Sequence, residues 1–278
     1  MRIDAHQHFW NYDPIEYDWI NSEMKVIAKT FLPKDLKPHL DNCNLDGSIA
    51  VQARESLEEN DFLLALAREN SKVLGVVGWL NLADQNLEIT LDKYDQLSDL
   101  KGFREVLQSK ESDYFLSEGF TEGLKKILNS GYKYDILVFE NQLESILQMV
   151  KSVPEKPMVI DHLAKPKIKA GEWKEWKKNL SRFAERDYLY CKLSGMVTEA
   201  DWAQWSKKQL HPYMEIALEL FGPERLMFGS DWPVCQLAGS YPEVFHAVDQ
   251  FTDQLSKDEK EAIFGGTAKD FYNIEAKE

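Results

Sequence analysis

Short apolar runs alternate along this chain with longer stretches in which apolar residues recur every three or four positions. Eight of the short runs read as strands, at residues 2–6, 46–52, 73–80, 100–104, 134–139, 157–162, 188–194 and 226–230. Their starts fall on average about 32 residues apart, the length that one strand-and-helix unit needs. The gaps carry helical rhythm. Leu57, Phe62, Leu63, Leu66 and Ala67 fall close to one face of a helix over 57–69, and 120–128 and 143–150 behave likewise. Trp173, Trp176, Leu180 and Phe183 repeat at spacings of three and four. Residues 202–221 are long enough for two helices broken near Pro212. Ser256 with Glu259 forms a capping box before the last helix.

Eight such units in regular order predict a single α/β domain over residues 1–278, a (β/α)8 TIM-like barrel with its active site at the C-terminal ends of the strands. No Gly-, Ser- or Pro-rich linker divides the chain into two. Residues 10–45 exceed an ordinary strand-to-helix connection and hold only weak helix signals. They are expected to form an elaborated first loop that covers the barrel mouth.

Composition narrows the partners. Of the residues, 44% are hydrophobic and 29% charged, a globular mix that excludes a disordered or fibrous chain. Forty-seven acidic residues against 33 basic ones give a net charge of −14, which disfavours nucleic acid and anionic membranes as partners. Three scattered cysteines, with no C-x-x-C pair, offer neither a disulfide framework nor a zinc knuckle. A reducing, cytoplasmic setting is therefore expected, and the N-terminal segment has no charged-then-apolar leader. Oligomeric state is not legible.

The ends of the strand runs carry the chemistry. The first ends His6-Gln7-His8, and residues i and i+2 of a strand point to one side. An H-x-H pair alone is a weak signal. The sixth run, however, ends Asp161-His162, and the eighth ends Ser230-Asp231. Four such groups on three strand ends of one barrel can meet at its rim. Three imidazoles and a carboxylate could bind one zinc-like ion with an open position for water. Without a metal, Asp231 could still act as a general base while imidazoles polarise a carbonyl. The ordinary alternatives are core imidazoles and an aspartate that merely caps a turn.

These motifs resemble the amidohydrolase superfamily along nearly the whole chain. The resemblance rests on IDAHQHFW at 3–10, IDHLAKP at 160–166, CKLSGM at 191–196, FGSDWPV at 228–234 and FGGTAKDFYNI at 264–274. Together they are similar to the branch that holds sugar-acid lactonases acting on L-fuconolactone and L-rhamnonolactone. Carried over, the resemblance makes His6 and His8 the first-strand pair, His162 the later histidine, and Asp231 the carboxylate that takes a proton from the attacking water. The fourth and fifth strands end in Phe103-Arg104 and Val138-Phe139, without the bridging Lys or Glu and the extra His of two-metal relatives. One divalent ion such as zinc, bound by His6, His8, His162 and Asp231, or none, is implied, with no organic cofactor.

Other polar strand residues suit a small oxygenated substrate. Gln52 ends the second run, Arg104 ends the fourth, and Lys192 lies within the seventh. Arg104 could hold a carboxylate or carbonyl through two hydrogen bonds. A Lys192 buried in a strand needs a partner, for which Asp4 and Asp161 are candidates. Trp10, Trp79 and Trp232 flank the motifs and could stack on a sugar ring or simply fill the barrel top. His39, His211 and His246 read as surface or capping histidines. The expected function is hydrolysis of an aldonolactone by Asp-assisted water attack. The rivals are a metal-dependent decarboxylase of the same superfamily and a non-catalytic sugar-acid-binding barrel.

Overall fold

The computed structural model describes residues 1–95 and 97–275. Eight parallel strands follow one another around a single sheet: β1 (Ile3–Gln7), β2 (Gly47–Val51), β3 (Val73–Gly78), β4 (Leu100–Val106), β5 (Lys133–Leu137), β6 (Met158–Ile160), β7 (Leu189–Leu193) and β8 (Leu226–Phe228). Each pairs with the next in sequence. The ring closes at its upper end, where Gln7 and Trp232 form a parallel bridge. The strands are almost wholly buried, as a sheet wrapped by helices requires. This is the (β/α)8 architecture that the spacing predicts.

Between the strands lie helices such as Leu57–Glu69, Glu118–Asn129, Leu143–Lys151 and Lys174–Ala184. Ser56 caps the first by accepting from the Glu59 N–H, and Ser117 caps the second in the same way. Ser256 and Glu259 form the expected reciprocal cap on the helix Lys257–Glu261. Residues 202–221 differ from expectation. One helix, Lys207–Phe221, runs unbroken through Pro212. The proline forfeits a single helical hydrogen bond, while Leu210, Tyr213, Met214, Ile216 and Ala217 bury a continuous face on either side of it.

The first loop is more ordered than its sequence suggests. It holds the helix Pro33–Asn42, and Trp10 bridges Phe31 with backbone bonds in both directions. Trp10 Nε1 donates to Lys29 O, and its ring is packed among Tyr17, Trp19 and Phe31. Tyr17 donates its hydroxyl to the buried Glu59, which also accepts from the Ala53 N–H and from Arg54. The loop is thereby fastened to the β2 side of the barrel mouth. At the other extremity of the chain, Ala268, Phe271, Tyr272 and Ile274 pack with the barrel-lining Ala5, Val51, Val77, Val159 and Met227. Among the described residues, no helix is long and apolar enough to cross a membrane.

Glu105 on β4 is a buried carboxyl that accepts from the Leu82 N–H and the Tyr114 hydroxyl, each at 2.7 Å. Burial pushes it up to about 7, against the pull of those two donors. The folded state therefore keeps a proton that the unfolded chain releases near pH 4.5, so this group's contribution to stability falls as pH rises toward 7. Denaturant titrations should show wild-type stability, measured relative to Glu105→Gln, dropping by about 1–3 kcal/mol between roughly pH 5 and 8. A difference that stays flat would refute a protonated Glu105.

Candidate active site

The candidate residues meet where β1, β6 and β8 end. Asp231 N donates to His6 O at 2.8 Å and His8 N donates to Trp232 O at 2.7 Å. These bonds extend the β1–β8 seam beyond β8 and carry His8 and Asp231 to the rim together. Gly229 is required here, because a Cβ on it would lie 2.6 Å from His6 Cβ. The sixth strand stops at Ile160, two residues short of the expected end. His162, Leu163, Ala164 and Lys165 then take φ of 53°, 55°, 56° and 49°, a left-handed turn made without glycine. Asp231 shares that conformation at φ 57°. Each such residue costs about 1–2 kcal/mol. Burial of Leu163 and Ala164 and a bond from Trp176 Nε1 to Leu163 O hold the turn in place. Gly195 faces it, and a Cβ there would come within 2.6 Å of His162 Nδ1.

Beneath this rim lies a buried cluster of charges. Lys192 Nζ sits 2.5 Å from Asp135 Oδ2, 2.9 Å from Asp161 Oδ1 and 3.0 Å from His6 Nδ1. Arg104 Nη1 lies 3.0 Å from Asp161 Oδ2 and 3.3 Å from His6 Nε2, and its Nη2 donates to Gln52 O. Tyr272 donates to Asp135 from below. Two cations and two carboxylates balance, which is how such a group survives burial. Burial would raise the Asp161 carboxyl, but Lys192, His6 and Arg104 outweigh it and hold it well below the usual range. Burial also pushes the His6 imidazole well below its ordinary value; Asp161 opposes that shift, and Lys192 and His162 add to it.

Above the cluster opens a cavity of about 230 Å³ whose wall includes His8, Arg104, His162, Lys165 and Asp231. His8 gives its Nδ1 proton to Val51 O at 2.8 Å, so Nε2 faces Asp231 Oδ1 at 3.4 Å. His162 Nδ1 is held by the Ser194 hydroxyl at 2.8 Å, and its Nε2 stands 4.0 Å from the same carboxylate oxygen. Burial lowers His162 to about 4, with Asp231 opposing, so the ring is neutral near pH 7. Burial alone would raise Asp231. The neighbouring His162, His8 and His6 outweigh burial and hold it below the carboxylate range. An ionised carboxylate thus faces the cavity at any ordinary pH.

The fold brings His8, His162, Asp231 and Arg104 onto one wall and leaves other candidates off it. His6 is fully buried below the floor, with Lys192 and Arg104 against its two ring nitrogens. Lys192 is fully buried beside Asp135 and Asp161, its ion-pair partners; Asp4 serves Ser230 and Tyr241 instead. The Gln52 side chain is turned to Arg104 O. Trp10 is packed inside the first loop, Trp232 is buried against Phe9 and Phe31, and Trp79 is tied by its backbone to Asn60. None of these lines the cavity. Trp19, Gln108 and Lys165 do line it and were not singled out from the sequence. Lys165 lies inside the IDHLAKP motif, and Asp135 is a lone carboxylate in an apolar strand, so both carried a signal; Trp19 and Gln108 sit in loops that carried none.

A profile for the family described as amidohydrolase matches residues 3–274. The chain belongs to this family. It is 39% identical over 287 residues to an L-fucono-1,5-lactonase of Burkholderia multivorans, covering 99% of this chain and 96% of that one. An L-fucono-1,5-lactonase of Burkholderia ambifaria is 32% identical, at 99% and 96% coverage. The crystal structure of a Burkholderia multivorans amidohydrolase with bound zinc superposes with a TM-score of 0.96 at 38% identity, covering 99% of this chain and all of the other.

This amidohydrolase presents a donor set compatible with a divalent ion. His6, His8 and Asp231 place ligand atoms within 4.8 Å of one another, as do His6, Asp161 and His162. The His8 Nε2 lone pair is aimed at the Asp231 carboxylate at 3.4 Å, about the spacing of two donors on one zinc ion. His6 is the poorer donor, because the Arg104 guanidinium already lies against its Nε2.

Replacing Lys192 by Met should leave one of the two buried carboxylates without a counter-charge, since Arg104 still pairs with Asp161, and cost about 3–5 kcal/mol in chemical denaturation. A variant as stable as the parent, with only a raised KM, would instead make Lys192 a substrate contact.

Proposed function

We propose that this chain hydrolyses a sugar-acid lactone of the L-fucono-1,5 type, with Asp231 as general base. The observation that carries the reading is an ionised Asp231 on the wall of a cavity sized for one small ring, with His8 and His162 turned toward it. The lactonase relatives supply the substrate class. A water between Asp231 and the lactone carbonyl loses a proton to the carboxylate as its oxygen attacks the carbon. The carbonyl oxygen gains negative charge, which the Arg104 guanidinium and the neighbouring imidazoles stabilise. Collapse of the tetrahedral species breaks the bond to the ring oxygen. Protonated Asp231 returns its proton to that leaving oxygen, giving the open hydroxy acid. His6, held from below by Lys192 and Arg104, keeps the floor rigid rather than touching the substrate.

A divalent ion such as zinc would be held by His8, His162 and Asp231, and when bound it would polarise the carbonyl. The zinc-bound relative and the approach of His8 Nε2 and His162 Nε2 to one Asp231 oxygen, at 3.4 and 4.0 Å, support this ligation, with His6 a further imidazole within reach of His8 and Asp231. A lactone is an activated ester and asks less electrophilic help than an amide, so Arg104 is placed to serve the same oxygen. The decarboxylase rival draws no support from the lactonase relatives. A single barrel domain holds every residue used here, and its substrate is a small molecule.

Asp231→Asn should lower kcat/KM for L-fucono-1,5-lactone by about 10²–10⁴ while the variant stays folded. Near-parental turnover would remove Asp231 as the base. Calorimetric titration with zinc chloride should show binding to the parent that weakens at least about tenfold in His162→Gln; equal affinities would place the ion elsewhere.

A further inference from the structure

Besides Arg104 Nε, whose guanidinium is otherwise engaged by Asp161 and Gln52, two donors on the cavity wall have no partner among the described residues. Trp19 Nε1 and Gln108 Nε2 are both buried and find no hydrogen-bond partner among the described residues. Both residues line the cavity that holds Asp231. An amide or indole N–H buried without a partner is unfavourable, and two beside one cavity suit a ligand that accepts from them. The apolar residues Ala53, Val106 and Leu137 line the same cavity.

The positions of the two donors are also fixed. Gln108 follows β4 in the turn Leu107–Ser109, two residues past Val106, whose N–H is held by Glu55. Trp19 is edge-on to the buried Trp10 ring. Two residues before it, Tyr17 is bonded to Glu59, which Arg54 also engages. Neither donor belongs to the group around Asp231 that performs the proton transfer.

We infer that Trp19 and Gln108 are specificity-determining residues, which bind ring hydroxyls of the lactone and so select polyhydroxylated lactones over unsubstituted ones. This rests on the lactonase reading above. The two N–H groups donate to hydroxyl oxygens, while Ala53, Val106 and Leu137 take a C–H face of the same ring. Hydroxyl recognition of this kind acts on binding in ground and transition state alike, so it moves KM and leaves kcat nearly untouched.

The test compares L-fucono-1,5-lactone with δ-valerolactone, which has the ester but no hydroxyl. The latter is read as a substrate or as a competing inhibitor of the former. Trp19→Phe and Gln108→Met preserve bulk and delete the donor. Each should raise KM for the hydroxylated lactone about 3- to 10-fold, the value of one hydrogen bond, with kcat within about twofold. The KM or inhibition constant for δ-valerolactone should stay within about twofold. Equal losses on both compounds, or a fall in kcat alone, would make the pair structural or catalytic and overturn the inference. So would variants that behave as the parent on both. If the parent hydrolyses no lactone at all, the functional reading fails first and is distinguished by that result.

Discussion

Everything at the rim depends on four buried charges. Lys192 and Arg104 can lie inside a barrel only because Asp135 and Asp161 are within ion-pair reach. Those carboxylates in turn can stay ionised only because the cations are there. His6 is wedged on top of this balanced set, and its ring leaves no free rotation to the strand that also delivers His8. The neutral His162 ring and the ionised Asp231 above the floor are thus held in place before a substrate arrives. Such preorganised charge is what stabilises a developing oxyanion most effectively in a water-poor site.

The second constraint is conformational. His162 and Asp231 both sit in the left-handed region, one inside a four-residue turn and the other just past a short strand. Extended backbone would have continued their strands and spread their side chains along the barrel. The left-handed bend folds each side chain back over the mouth, where Gly195 leaves space for the His162 ring and Gly229 leaves space for His6. The strain is local, and the packing of Leu163, Ala164 and Trp176 around it is what makes it tolerable.

Much of this is legible in the amino-acid order. The eight apolar runs fall within a few residues of β1 to β8, because strand burial on both faces leaves a continuous hydrophobic signature. His8, His162 and Asp231 are legible as strand-end residues in recognisable motifs. The depth of a side chain is less so. His6 and His8 look equivalent in sequence, yet two residues of strand, a rise of about 6.6 Å, separate His6 in the floor from His8 at the rim. Lys192 and Gln52 read as contacts because polarity in a strand has two explanations, a ligand or a buried partner, and only three-dimensional neighbours decide between them. Trp10, Trp79 and Trp232, which could stack on a ring or fill the barrel top, lie off the cavity wall. The helix through Pro212 and the helix in the first loop escape detection because tertiary burial overrides weak or broken local preference.

The barrel seam has a bearing on how the enzyme comes into being. Asp4 and Ser230, whose bond helps lock that seam, are 226 residues apart along the polypeptide. The histidines of the first strand and the carboxylate just past the eighth are brought together only when β1 docks against β8, so the contact that closes the ring is also the one that completes the rim.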